Sequence, residues 1–191
     1  MIGEEEDMKN IRKKVFVMIV VFALVLINMN SADAFRLLGG RMNGGVANRQ
    51  FFVGLGSTNY INPSVAAMNN WNWASPRVHF TRTTSIPNAQ IRMWGETHGA
   101  GTKSGIVRFF NANGTPVAAN LSNWSYSSTI FNQSVTDHYT VRQREMVMGH
   151  EIGHAFGLGH TRDNGTLMFG ADTRTAIGPT ANEVAGVNFL Y

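Results

Sequence analysis

The chain has 191 residues, of which 43% are hydrophobic and 15% charged, with a formal net charge of +4 and no cysteine. That balance suits one domain with a substantial core and excludes a disordered chain or a solenoid. Without cysteine there are no disulfide braces and no thiolate metal sites, so any bound zinc must rely on histidine and carboxylate.

The first segment reads as an address rather than as part of the fold. Residues 8–14 are basic, residues 15–27 form an uncharged apolar run, and Ala32-Asp33-Ala34 has the small-x-small form of a signal-peptidase site. Residues 1–34 are therefore expected to be a signal peptide, whether translation starts at Met1 or Met8, and the protein to be secreted and extracellular. The apolar run is shorter than the ~20 residues a spanning helix needs, so no stable membrane anchor is expected once the signal is cleaved. From Phe35 onward the chain carries 12 Lys and Arg against 7 Asp and Glu, and 11 of the 12 cations are arginine. Such a balance is expected to give a merely soluble basic surface, with association with anionic cell-surface polymers as the alternative. No basic cluster is interleaved with aromatics, so no nucleic-acid partner is expected. A monomer is expected.

Residues 35–48 are glycine-rich and are expected to be a flexible lead-in to a domain spanning 49–191. "QFFVGLG" reads as a first strand. Asn62 and Pro63 read as the N-cap and first position of a helix, with Val65, Met68 and Trp71 at helical spacing up to Ala74. Alternating patterns predict strands at 77–83 and 89–94, and short apolar runs predict strands at 105–110 and 128–132. Thr140 and Gln143 have the T-x-x-Q form of a capping box, which starts a long helix that Gly157 should end. Residues 180–191 predict a last helix, with Val184, Val187 and Leu190 on one face. The order of elements gives an α/β or α+β sandwich, one sheet with helices packed against it.

The stretch "HEIGHAFGLGH" falls on the long helix and just past its end. His150 and His154 lie four apart, so their imidazoles leave the same face and can share one ion. Glu151 flanks that ion without being placed to bind it. Once Gly157 reverses the chain, His160 can return as a third ligand. Three protein nitrogens with one position left open is the arrangement of a catalytic zinc rather than a structural one. Zinc lowers the pKa of a bound water towards ~7, and Glu151 is placed to take its proton.

These residues resemble the metzincin zinc signature, and the finer pattern resembles its matrixin branch: Leu158 before His160, Thr161 where serine is usual, and "TLMFG" eight residues beyond the third histidine. The resemblance covers about 50–191 and is strong from 140 to 170. It implies a twisted, mostly parallel five-stranded sheet packed with two long helices, and a C-terminal helix after a methionine turn at Met168. It also implies one catalytic Zn2+, protein or peptide substrates, an extended peptide docked on the 105–110 edge at Gly105, Ile106 and Val107, and a pocket wall from 161–172 with Leu167 and Phe169 as apolar contributors. Gly170 stands where astacins and serralysins place a tyrosine. Matrixins usually add a structural zinc, but His79, His98 and His138 lack the spaced aspartate for it, and calcium is equally unsupported. No cysteine is available to silence the zinc, and neither Asp nor Glu occurs between Phe35 and Gly95.

The expected function is a secreted zinc endopeptidase. The alternative is an exported zinc-binding module without turnover, against which Glu151 speaks, because a pure binding site needs only the histidines.

Overall fold

The computed structural model describes residues 35–101 and 103–191. The signal-peptide expectation falls outside them. Six strands form the main sheet in the order β3-β2-β4-β7-β5-β6, where β2 is Arg49–Val53, β3 Phe80–Arg82, β4 Ile91–Glu96, β5 Gly105–Phe110, β6 Pro116–Val117 and β7 Tyr126–Asn132. The pairs β2–β3, β2–β4 and β4–β7 are parallel, whereas β5 runs antiparallel to β7 and β6 antiparallel to β5. The five expected strands are all present. The sixth, β6, is two residues long and exists only through its pairing with Phe109 and Phe110.

The sheet buries alternate side chains. Phe51 and Val53 on β2 and Ile91 and Met93 on β4 enter the core. Phe52 and Trp94, on the intervening positions, meet on the other face with ring centroids 5.3 Å apart and planes tilted by 53°. Two long helices pack together against the core, α1 (Thr58–Ala74) and α3 (Val141–Phe156), and the one-turn α2 (Gln133–Thr136) lies between β7 and α3. Trp71 joins the long pair. It is fully buried, donates from Nε1 to the Gly149 carbonyl at 2.9 Å and meets Phe156 edge-on with centroids 5.0 Å apart. This placement matters because α3 carries the first two histidines.

Helix α1 starts five residues earlier than its sequence suggested. Ser57, not Asn62, is the N-cap and accepts from the Asn59 amide, so Pro63 lies inside the helix. An interior proline leaves the carbonyl four residues back without its usual donor. Here that carbonyl belongs to Asn59, and Arg144 Nη1 reaches it at 3.4 Å. The buried Arg144 also donates to the Thr136 and Asp137 carbonyls and lies over the Tyr60 ring. A long-range cation therefore compensates for the proline.

The boundaries of α3 follow its sequence closely. Thr140 and Gln143 form the reciprocal capping box, and Gly157 ends the helix at φ 107°. The last helix, α4 (Ala181–Leu190), is capped by Thr180 and packs Val187 and Leu190 inward.

The glycine-rich segment 35–48 is not the flexible lead-in that its composition implied. Strand β1 (Arg36–Leu37) pairs antiparallel with β8 (Leu158–Gly159), immediately after α3. Met42 and Val46 are each only 1% exposed, Met42 bridges to Trp124, and its amide donates to the Tyr191 hydroxyl. Two apolar anchors and a paired strand outweigh the loop-forming composition. No helix among the described residues is long and apolar enough to cross a membrane.

Candidate active site

Helix α3, its glycine stop and the chain reversal beyond it bring the three histidines together. His160 Nε2 lies 3.1 Å from His150 Nε2 and 3.0 Å from His154 Nε2. The other nitrogens of His150 and His154 are fixed by backbone. His150 Nδ1 meets the Leu167 carbonyl at 2.8 Å, and His154 Nδ1 meets the Leu158 carbonyl at 2.7 Å. A carbonyl can only accept, so each Nδ1 carries the proton and each Nε2 presents a lone pair. Burial pushes His150 well below the ordinary imidazole range and His154 down to about 4, and it lowers His160 as well, so the rings are neutral near pH 7. Two fixed lone pairs converge with His160 Nε2 on one point, an arrangement that a cation between them would satisfy. Tetrahedral zinc with nitrogens at 2.0–2.1 Å would set them about 3.3 Å apart, close to what is observed. The donor set fits a zinc ion.

Glu151 is next to the first ligand and lines the same cleft, but its carboxylate does not join the triad. It is 6% exposed and lies beneath the start of β5, so close that a Cβ on Gly105 would come within 2.4 Å of Oε1. Only glycine lets the strand and the carboxylate approach this closely. Burial raises the carboxyl to about 8, opposed by the positive charge of Arg174.

Met168 packs beneath the site, buried, with Sδ against α3 at Gly153 between the two helical histidines. The methionine turn is held from α4. Glu183 is 1% exposed, and its carboxylate accepts the Met168 amide at 3.1 Å while capping Thr180 at 2.8 Å. The T-x-x-E spacing of Thr180 and Glu183 is the sequence signal that could have identified this residue. Glu183→Ala would leave the Met168 amide unpaired in the core, at a cost of about 2 kcal/mol. A thermal unfolding midpoint about 6 °C lower is expected, with Glu183→Gln recovering part of the loss. An unchanged midpoint for the alanine variant would contradict this.

The cleft above the histidines has a volume of about 420 Å³ and is lined by Gly105, Ile106 and Val107 on one side and by Gly170, Ala171, Asp172 and Arg174 on the other. The β5 edge thus lines the cleft. Leu167 and Phe169 do not. Leu167 is fully buried and contributes its carbonyl to His150. The wall comes a few residues later and is polar. Asp172 accepts from Ser104 Oγ at 2.9 Å, Tyr139 OH at 2.7 Å and Arg174 Nη2 at 3.1 Å. This network ties three separate loops together, and no local pattern in the sequence announces it.

His79 and His138 are exposed, and His98 lies beside Glu96 at 2.9 Å. None of them joins the triad. His150, His154 and His160 form the one group among the described residues that could hold a metal ion.

The geometry agrees with comparison at family level. The matrixin (peptidase M10) family model matches residues 57–191. The chain belongs to the matrixin family. No curated protein matches it. Matrixin membership makes the chain a metallopeptidase-family domain, implies zinc as the metal and suggests protein or peptide substrates. The fold fits that membership, with its mostly parallel sheet and C-terminal helix.

Proposed function

We propose that this matrixin is a secreted zinc-dependent endopeptidase, with His150, His154 and His160 as metal ligands and Glu151 as general base. The carrying observation is the buried Glu151 carboxylate lining the same cleft as three converging Nε2 atoms, under an open strand edge. Bound zinc would supply a Lewis acid that polarises the scissile carbonyl and acidifies water.

The remaining steps belong to the chain's own side chains. The outer edge of β5 at Gly105–Val107 has no strand partner among the described residues, so an extended peptide adds there as another strand. Glu151 takes a proton from the attacking water as the new C–O bond forms, then delivers it to the departing amine as the C–N bond breaks. Its burial keeps that proton from exchanging freely with solvent. Met168 supports the ligand helix from below.

The test is metal removal. Protein spanning 35–191 should contain one zinc per chain and cut casein or gelatin. Chelation should abolish cleavage, and stoichiometric zinc should restore it. Protein that binds zinc in this way but cuts no protein or peptide would make it the non-catalytic module instead.

A further inference from the structure

Lys103 is the sole lysine between Phe35 and Tyr191, and it lies on the rim of the cleft. Its backbone is fixed: the Lys103 carbonyl accepts from Asn132 Nδ2 at 3.0 Å, and the next carbonyl, that of Ser104, accepts from the Asn132 amide at 2.9 Å. Its side chain is exposed and makes no ion pair with any described carboxylate. The other cleft cation, Arg174, is only 6% exposed and is occupied by Asp172 and the Met146 and Phe169 carbonyls. Asp172 in turn has three donors of its own. Among the described residues lining the cleft, Lys103 is therefore the cation without an ion pair, while the remaining carboxylate, Glu151, lies buried beneath Gly105. Lys103 lines the same cleft as His150, His154 and His160.

The strand edge fixes where this charge falls along a substrate. Strand β6 already occupies the outer side of β5 at Phe109 and Phe110, running antiparallel. A peptide that continues this edge in the same sense runs from the Phe109 end towards Gly105. Glu151 lies directly beneath Gly105, so the scissile bond lies at that level. Residues before it meet Leu38, Val107, Phe109 and Ala119, an apolar shelf, and residues after it pass over Ser104 and Lys103.

We propose, building on the peptidase reading, that Lys103 is a specificity-determining residue that pairs with a carboxylate on the C-terminal side of the scissile bond. That carboxylate is either an Asp or Glu side chain or the peptide's own terminus. The net positive charge of the domain steers such substrates towards the cleft.

The test uses synthetic peptides that differ only in Glu, Gln or Lys at the first three positions after the cleaved bond, each made with a free C-terminus and with an amide. Wild-type protein should favour a carboxylate-bearing peptide over its neutral match by about five-fold, mainly through KM. Raised salt should shrink this ratio. In Lys103→Ala the ratio should collapse towards one, and in Lys103→Glu it should turn towards the Lys peptides. The free-acid and amide arms identify which carboxylate is read. Calorimetric titration of the same peptides into the zinc-loaded Glu151→Gln protein should give the same order without turnover. A wild-type ratio near one, or a ratio that survives Lys103→Ala, overturns the assignment while the peptidase reading stands. If wild-type protein cuts none of the peptides, the peptidase reading fails, and the calorimetric order alone upholds or rejects Lys103.

Discussion

Glu151→Gln is expected to retain one zinc per chain and to lose about a thousand-fold in kcat/KM. General acid–base groups typically contribute 10²–10⁴-fold, so a value of about 10³ is the middle of the range. The amide is nearly isosteric and fits beneath Gly105 as the carboxylate does, so lost activity would reflect lost proton transfer rather than altered packing. The same substitution has a second readout in the metal-free protein. The carboxyl lies at about 8 when folded, against 4.5 ordinarily. Between those values the folded chain holds a proton that the unfolded chain has released, so stability falls as pH rises through that window. The lowered histidines act in the opposite direction, costing stability as pH falls below about 6.5. Above that point Glu151 acts without them. From pH 6.5 to 8 the chelated wild-type protein should lose about 2 kcal/mol, a drop of several degrees in its unfolding midpoint. Glu151→Gln should flatten that slope. Activity within ten-fold of wild type would move the base elsewhere, and loss of zinc would make Glu151 a support for the ligands rather than a proton carrier.

What could be read from the sequence depended on whether the interaction was local. Thr140, Gln143 and Gly157 act within one helix turn of themselves, and they marked both ends of α3 correctly. The histidine spacing could be read for the same reason, since i and i+4 share a helix face whatever surrounds them. Distant compensation was invisible. Asn62-Pro63 has the form of a helix start, and only Arg144, far along the chain, makes the earlier Ser57 start work. The segment 35–48 has the composition of a linker, but Met42 finds its partners in Trp124 and Tyr191, and the Val46 carbonyl accepts from the His79 amide. The 161–172 segment does line the cleft through Gly170, Ala171 and Asp172, but Leu167 and Phe169, which look like lining by hydrophobicity, are not among the lining residues. Leu167 is instead consumed by the core, and the cleft receives Asp172 and Arg174. Hydrophobicity identifies what is buried, and a cleft in water is lined by what remains.

Gly157→Ala should damage both the fold and the metal site, because one residue serves both. Gly157 adopts φ 107°, a region L side chains rarely enter, and its amide closes α3 on the Gly153 and His154 carbonyls. A Cβ there would lie 2.9 Å from the Gly40 carbonyl oxygen and 3.0 Å from Leu190 Cδ1. The first contact is backbone and cannot escape by changing rotamer. That backbone is part of the segment whose Leu38 amide donates to the Gly157 carbonyl at 2.9 Å. Strain and contact together should cost about 3 kcal/mol. The residues that follow carry the consequence to the site. Leu158 supplies the carbonyl that orients His154, and His160 returns only because the chain reverses at this point. Relief of the contact must shift one or both, so zinc affinity should fall at least ten-fold, as it does when the groups that orient metal ligands are removed. Val187→Ala is the control, since Val187 is fully buried in α4 and lies outside the cleft. It should lower the unfolding midpoint while leaving competition against a zinc chelator unchanged. If Gly157→Ala loses stability but binds zinc as tightly as Val187→Ala does, the reversal is not what places His160.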